Sequence, residues 1–279
     1  MKKITFLLLF MNVFYFNAQM QRLTFEFAYK IDSLENDIER DIYLLDITKD
    51  DTKFYKEEFL QIDSLNQNLK HKTQASLPNG FNILVKRKTG QQENKNYSFI
   101  NGQYYVFETV DKIKWTLKDQ MKSIGNYTAQ LAESDYGGRH WYAWFVKDLP
   151  LIEGPYKFNG LPGMVIEVYD SQRNFSFTLT SLSNLKELPD TQNFLETNFG
   201  QKPIKVSLEK FNKALINAYY NLYSEFKNDK TGRWSINTED GRVIKSLQEL
   251  NSLIREEQAE MRKNYNPINK TQGVKYPKK

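Results

Sequence analysis

Hydrophobic positions in the first third of the chain alternate with polar ones. Phe25, Phe27, Tyr29 and Ile31 stand between Glu26, Ala28 and Lys30, the two-residue period of a half-buried strand. Residues 42–47 are apolar on both sides, which places that run inside a sheet. Phe59, Ile62, Leu65 and Leu69 then recur at three- and four-residue steps, predicting a short amphipathic helix. Asn79-Gly80 marks a turn before a strand over 82–85, and Asn101-Gly102 separates 97–100 from 104–110 as the clearest hairpin of the chain. Ile113, Trp115 and Leu117 alternate as a further strand, and another runs over 126–133. Gly137-Gly138 turns the chain into 139–146, where Trp141, Ala143 and Phe145 face one way and His140, Tyr142 and Trp144 the other. Both sides of that strand are apolar enough to call for cover. Residues 164–169 and 175–179 form a last hairpin about 170–173.

The period changes near Pro203. Ser207 is a candidate N-cap for a stripe of Leu208, Phe211, Leu215, Tyr219, Leu222 and Phe226. Ser246-Leu247-Gln248-Glu249 has the form of a capping box and opens a second helix that stops before Pro267. The fold class expected is therefore α+β, mainly β: a large, curved, half-barrel-like antiparallel sheet with a short helix in its N-terminal half and two C-terminal helices. The expected division is a leader over 1–18, a β domain over 19–203, a helical segment over 204–268 packing on the sheet, and a basic flexible tail over 269–279.

Residues 154–164 carry the most specific pattern, with five Gly and Pro in eleven positions: Gly154, Pro155, Gly160, Pro162 and Gly163. Such a run dictates backbone shape, because proline fixes φ and lacks an amide proton while glycine admits close backbone approach. It is no phosphate-cradling loop: proline removes donors, and Met164-Val165 follow where a Lys and a hydroxyl would be needed. Two readings stand for it. One is a recognition edge with Tyr156, Phe158 and Leu161 as exposed anchors beside Gly160, Pro162 and Gly163. The other, favoured here, is a tight crossover whose aromatics plug the core.

Gly-Leu-Pro-Gly-Met followed by VIEVYD resembles the GLPGLI family of exported proteins from Bacteroidetes-type bacteria. Ile124 to Ala132, Gly138-Arg139, Ala143-Trp144-Phe145, Leu149-Pro150 and Asn264-Tyr265-Asn266-Pro267-Ile268 extend the likeness over nearly the whole chain after the leader, with Arg139 and Trp144 as structural positions of the motif. Many members carry a cysteine where this chain has Thr128, so no thiol role carries over. The resemblance implies an address in the cell envelope rather than a reaction. Exported proteins of such bacteria are O-glycosylated at Asp-Ser/Thr followed by a small or apolar residue, and Asp32-Ser33-Leu34 and Asp63-Ser64-Leu65 resemble that signal at Ser33 and Ser64.

The leader itself has Lys2-Lys3, an apolar run from Ile4 to Phe16 and Ala18 before Gln19, the form of a secretory signal peptide. No later run approaches the roughly 20 apolar residues of a membrane-spanning helix. With no cysteine, the chain has neither disulfides nor the acylated N-terminus of a lipoprotein, so the core alone must hold an exported domain together. The location expected is periplasmic or outer-membrane-associated, with secretion as a further option. Lys2 and Lys3 account for two of the 39 basic side chains, leaving 37 against 34 acidic ones. So even a balance argues against nucleic acid as a partner, which requires a concentrated basic face.

Catalytic material is sparse. His71 and His140 are the only histidines, and no Gly-x-Ser-x-Gly elbow, His-Glu-x-x-His helix or EF-hand spacing is present. Glu133, Asp135 and Glu167 read as solvent-facing strand residues, and Asp50-Asp51 as a turn. The expectation is a non-enzymatic binding protein, with no catalytic residue, metal or cofactor, that handles an apolar ligand or assists an outer-membrane protein. Its alternatives are a protein-binding accessory without a cavity and a carboxylate-based hydrolase.

Overall fold

The computed structural model describes residues 20–68, 78 and 80–277, so the leader, His71, Asn79, Lys278 and Lys279 lie outside it. Twelve strands form one sheet. They are β1 (Met20–Tyr29), β2 (Glu39–Ile47), β3 (Asp51–Lys56), β4 (Leu84–Lys88), β5 (Glu93–Ile100), β6 (Gln103–Val110), β7 (Thr116–Ile124), β8 (Tyr127–Tyr136), β9 (Arg139–Val146), β10 (Met164–Asp170), β11 (Phe175–Leu185) and β12 (Ile204–Lys205). Their order across the sheet is β12-β6-β5-β4-β3-β2-β1-β11-β10-β9-β8-β7. All neighbours are antiparallel except β12, which lies parallel to β6. The mainly β fold with a large antiparallel sheet is thus as expected from the pattern.

Connectivity forces the sheet to curl. The chain starts at the centre with β1, works outward to β6, jumps to the opposite edge at β7, and returns through β8–β11 to pair with β1. In a flat sheet the ten strand spacings from β6 to β7 would span about 48 Å. The link between them, residues 111–115, reaches at most about 22 Å from Val110 to Thr116. Edges β6 and β7 therefore face each other across a gap, and the sheet is an open, rolled half-barrel. This explains one departure from the sequence pattern: Ile113 and Trp115 alternate like strand residues, yet they belong to the bridging link, and the strand starts only at Thr116.

Turn chemistry sets the hairpins. Asn101 and Gly102 have φ of 47° and 73°, and Gly137 and Gly138 of 63° and 76°, the left-handed pairs that match strand twist. Inward-facing Leu23, Phe25, Phe27, Tyr43, Phe54, Trp141, Phe145, Val168, Phe175 and Phe177 fill the hollow of the sheet. On the opposite face, α1 (Glu58–Asn68) and one π-helical turn over Gln192–Glu196 cover Leu44, Tyr55, Leu84, Tyr97 and Tyr104 with Phe59, Phe194 and Leu195.

The predicted stripe over 208–226 is not one helix. It divides into α2 (Leu208–Tyr220) and α3 (Ser224–Asn228), because the Asn221 side chain bonds back to the Asn217 carbonyl and Tyr223 takes φ of 57°. The C-terminal part accordingly has three helices where two were expected. Phe211 of α2 packs on Phe107 and Tyr105 of β6. The last helix, α4 (Leu247–Lys263), has the complete Ser246–Glu249 capping box and forms a small core of its own with Leu222, Phe226 and Trp234, next to the hairpin β13 (Ile236–Asn237) and β14 (Val243–Ile244). No described helix is long and apolar enough to cross a membrane.

Candidate functional site

The Gly-Pro segment lies inside the rolled sheet. Phe158 is fully buried, its ring 4.4 Å from Trp141 and 6.0 Å from both Tyr136 and Phe177. Tyr156 and Leu161 are buried with it, so these three side chains are not the exposed anchors of a recognition edge. Only Gly160 and Pro162 of the segment reach the surface. A Cβ on Gly154 would collide with the Phe158 carbonyl, and one on Gly163 with the Val146 carbonyl, so both positions require glycine for backbone approach. Pro155 is buried between them, and its carbonyl accepts the Phe158 amide.

Two buried ion pairs, Arg87–Glu153 and Lys157–Asp111, fix this plug, and a third, Arg139–Asp170, lies beside the C-terminal chain. Arg87 Nε on β4 reaches Glu153 Oε2 at 2.9 Å, both side chains being fully buried, and Arg87 Nη1 donates to the Tyr156 carbonyl at 2.7 Å. Lys157 Nζ lies 2.9 Å from Asp111 Oδ2, in the link that bridges the sheet gap. Arg139 Nη1 lies 3.2 Å from Asp170. Burial pushes the Asp111 carboxyl up, but Lys157 and the hydroxyls of Thr109 and Tyr136 outweigh it and hold the group below the usual carboxylate range. Desolvation of Lys157 lowers its ammonium from the ordinary value, with Asp111 opposing.

The supposed flexible tail is fastened along most of its length. Arg139 donates to Asn266 Oδ1 at 2.6 Å and to the carbonyls of Pro267 and Ile268, the Lys270 amide donates to the Gly137 carbonyl, and Gln272 Nε2 reaches Asp111 Oδ1 at 3.0 Å. Asn269 and Val274 are buried. Tyr276 packs on Tyr219 and Tyr265. Residues 264–277 form a strap rather than a frayed end because these polar groups have partners on β9, in the turn before it, on the link and on α2.

Between this strap, α2 and the start of β4 lies a cleft of about 290 Å³. Phe81, Leu84, Phe107, Phe211, Leu215 and Ile268 supply its apolar walls, and Lys157, Asn96 and Gln272 its polar end. A second groove of about 440 Å³ along Phe81, Asn82, Leu84, Tyr97, Ser98 and Phe99 shares most of these residues with it and continues over β4 and β5. No Asp or Glu lines the cleft among the described residues.

The remaining candidates sit apart. His140 Nδ1 lies 2.8 Å from Asp135 on the outer side of the sheet. Tyr142, Trp144 and Tyr169 are half-buried on that same side. The cover expected there is not a helix but long side chains: Lys122 lies over Trp144, and Arg173 over Tyr169 at 3.7 Å. Glu167 holds Lys122 at 3.3 Å, Glu133 holds Lys118 at 2.7 Å, and Asp51 holds Lys88 at 2.9 Å. Ser33 lies in an exposed turn closed by Asp32 onto the Leu34 amide, and Ser64 on the exposed side of α1. Among the described residues, no group of three or more His, Asp or Glu is placed to hold a metal ion.

Sequence reasoning passed over Asp111, Lys157 and Gln272. The one signal available was a lysine flanked by Tyr156 and Phe158 inside a Gly-Pro run, a charge in a segment otherwise built for burial.

No family model and no curated protein matches the chain. Two solved structures of PNGF-II, in C2 and P21 space groups, share the fold, with TM-scores of 0.52 and 0.51 at 15% and 13% sequence identity. Each alignment covers 72% of this chain and 34% of that chain, so this chain spans about a third of the length of PNGF-II.

Proposed function

We propose that the chain is an exported, non-enzymatic binding protein of the cell envelope, of GLPGLI type, that takes up an apolar ligand in the cleft between the strap, α2 and β4. The observation that carries this reading is the wall of Phe81, Leu84, Phe107, Phe211 and Leu215 around about 290 Å³, close to the smallest size of ordinary small-molecule sites. The charged groups nearest to it support the same reading. Asp111, Glu153, Arg87 and Lys157 are engaged with one another and with neutral donors and acceptors, which suits holding a shape better than moving protons.

Two features support export: the leader of the chain, and a core that holds without disulfides. A second reading, a protein-binding accessory, draws on the half-buried Tyr142, Trp144 and Tyr169 on the outer side of the sheet. An environment-sensitive apolar dye separates the two. It is expected to brighten with the wild-type protein and not with Leu215→Trp, which fills the cleft; a dye response unchanged by Leu215→Trp assigns binding to another surface.

A further inference from the structure

Among the described residues the cleft has one charged side chain in its lining, Lys157, and one of its three donors is held only weakly. Lys157 presents three N–H groups. Two are well used, on Asp111 Oδ2 at 2.9 Å and Thr109 Oγ1 at 3.0 Å, while the third meets Gln272 Oε1 only at 3.5 Å, the limit of a hydrogen bond. Gln272 belongs to the strap, is half-buried, and lines the same cleft. Asp111 does not depend on Lys157 alone. It also accepts from Asn94 Nδ2 at 3.1 Å, Thr109 Oγ1 at 2.5 Å, Tyr136 Oη at 2.7 Å and Gln272 Nε2 at 3.0 Å. Three of these neutral donors, Asn94, Thr109 and Tyr136, do not depend on Gln272 and keep that carboxylate solvated by the protein when the lysine is shared with a second acceptor.

Resting on the apolar-ligand reading, we infer that the ligand is a single-chain amphiphile with a carboxylate head, the head replacing Gln272 Oε1 on Lys157 Nζ and the chain lying between Phe81, Leu84, Phe107, Phe211 and Leu215. The groove over Phe81, Leu84 and Phe99 that continues from the cleft gives an alkyl tail its direction of exit. An amine-headed amphiphile of equal length is disfavoured at the same place, because its head would meet the lysine with like charge.

The test is competition of dodecanoate and of dodecylammonium, each below its micelle onset, against the apolar dye bound to the mature chain. Dodecanoate is expected to displace the dye at a concentration at least tenfold lower than dodecylammonium. In Lys157→Met/Asp111→Leu, which removes both members of the pair and leaves no lone buried charge, the ratio is expected to fall to within threefold of one. Gln272→Glu keeps both members of the pair, gives up the Gln272 donor to Asp111 and supplies a competing carboxylate to Lys157, so it is expected to lower the ratio in the same way and keeps the inference testable if the double variant does not fold. Equal displacement by the two amphiphiles in the wild type, or a ratio unmoved by Gln272→Glu, overturns the head-group assignment while leaving the apolar cleft standing. Failure of both amphiphiles to displace the dye, or of the dye to bind, overturns the cleft reading along with it.

Discussion

Trp115 on the link across the sheet gap donates its Nε1 proton to the carbonyl of Asn159 in the Gly-Pro segment at 3.0 Å. That single bond ties the piece of chain that forces the sheet to roll to the piece that fills the roll. Ile113 on the same link is part of the inner core, and Asp111 holds Lys157. Link and plug are thus one unit, and the first predictions follow from it.

Gly163→Ala is expected to unfold the protein or cost at least about 3 kcal/mol, since the new methyl meets backbone that has nowhere to move. Gly160→Ala is expected to cost only about 1–2 kcal/mol, because φ of 86° is strained for alanine but the space is open. Urea unfolding of the two variants checks the contrast. Equal losses would place the segment at the surface of the fold rather than in its interior.

Lys157→Met leaves the Asp111 carboxylate buried without its cation and is expected to cost about 3–5 kcal/mol, with much of that loss recovered in Lys157→Met/Asp111→Leu. A double-mutant cycle by denaturant unfolding reads the coupling directly.

The same pair fixes a pH dependence. Because the folded-state pKa of Asp111 lies below its unfolded value, the group contributes stability in full above the unfolded pKa, near 3.9, and loses it as pH falls through the lower folded value. The acid limb of a stability-versus-pH curve is therefore expected to be shallower in Asp111→Asn than in the wild type. Parallel limbs would show that the carboxylate has the same affinity for protons in both states.

Arg139→Lys is expected to destabilise by about 2–3 kcal/mol, since a point charge cannot serve Asp170, Asn266 and two carbonyls as the guanidinium does. The loss should be accompanied by faster hydrogen exchange at the Lys270 amide, which bonds Gly137. Unchanged protection there would mean that the strap holds without Arg139.

The strands were legible where a two-residue period met a good turn, as at Asn101-Gly102 and Gly137-Gly138, because both signals are local. A curved sheet was expected from strands apolar on both faces, but which edges the curl brings together was not legible, since it follows from the places of β6 and β7, and no local period encodes an edge. Ile113 and Trp115 show the same limit: alternation marks which side is buried, not whether a neighbouring strand is present. The break at Asn221 was hidden by an unbroken apolar stripe. Lys270 and Gln272 read as parts of a solvated tail because their partners, Gly137 and Asp111, lie more than a hundred positions away in the chain. The candidate cleft was illegible for the same reason, being assembled from β4–β6, α2 and the strap.

Solvent extraction and mass spectrometry of the protein purified from its native cells test the proposed binding role most directly, with Leu215→Trp purified in parallel. One apolar compound is predicted at close to one mole per mole of wild-type protein and strongly depleted from the variant. An extract with no such compound, or with equal amounts from both proteins, would contradict the account.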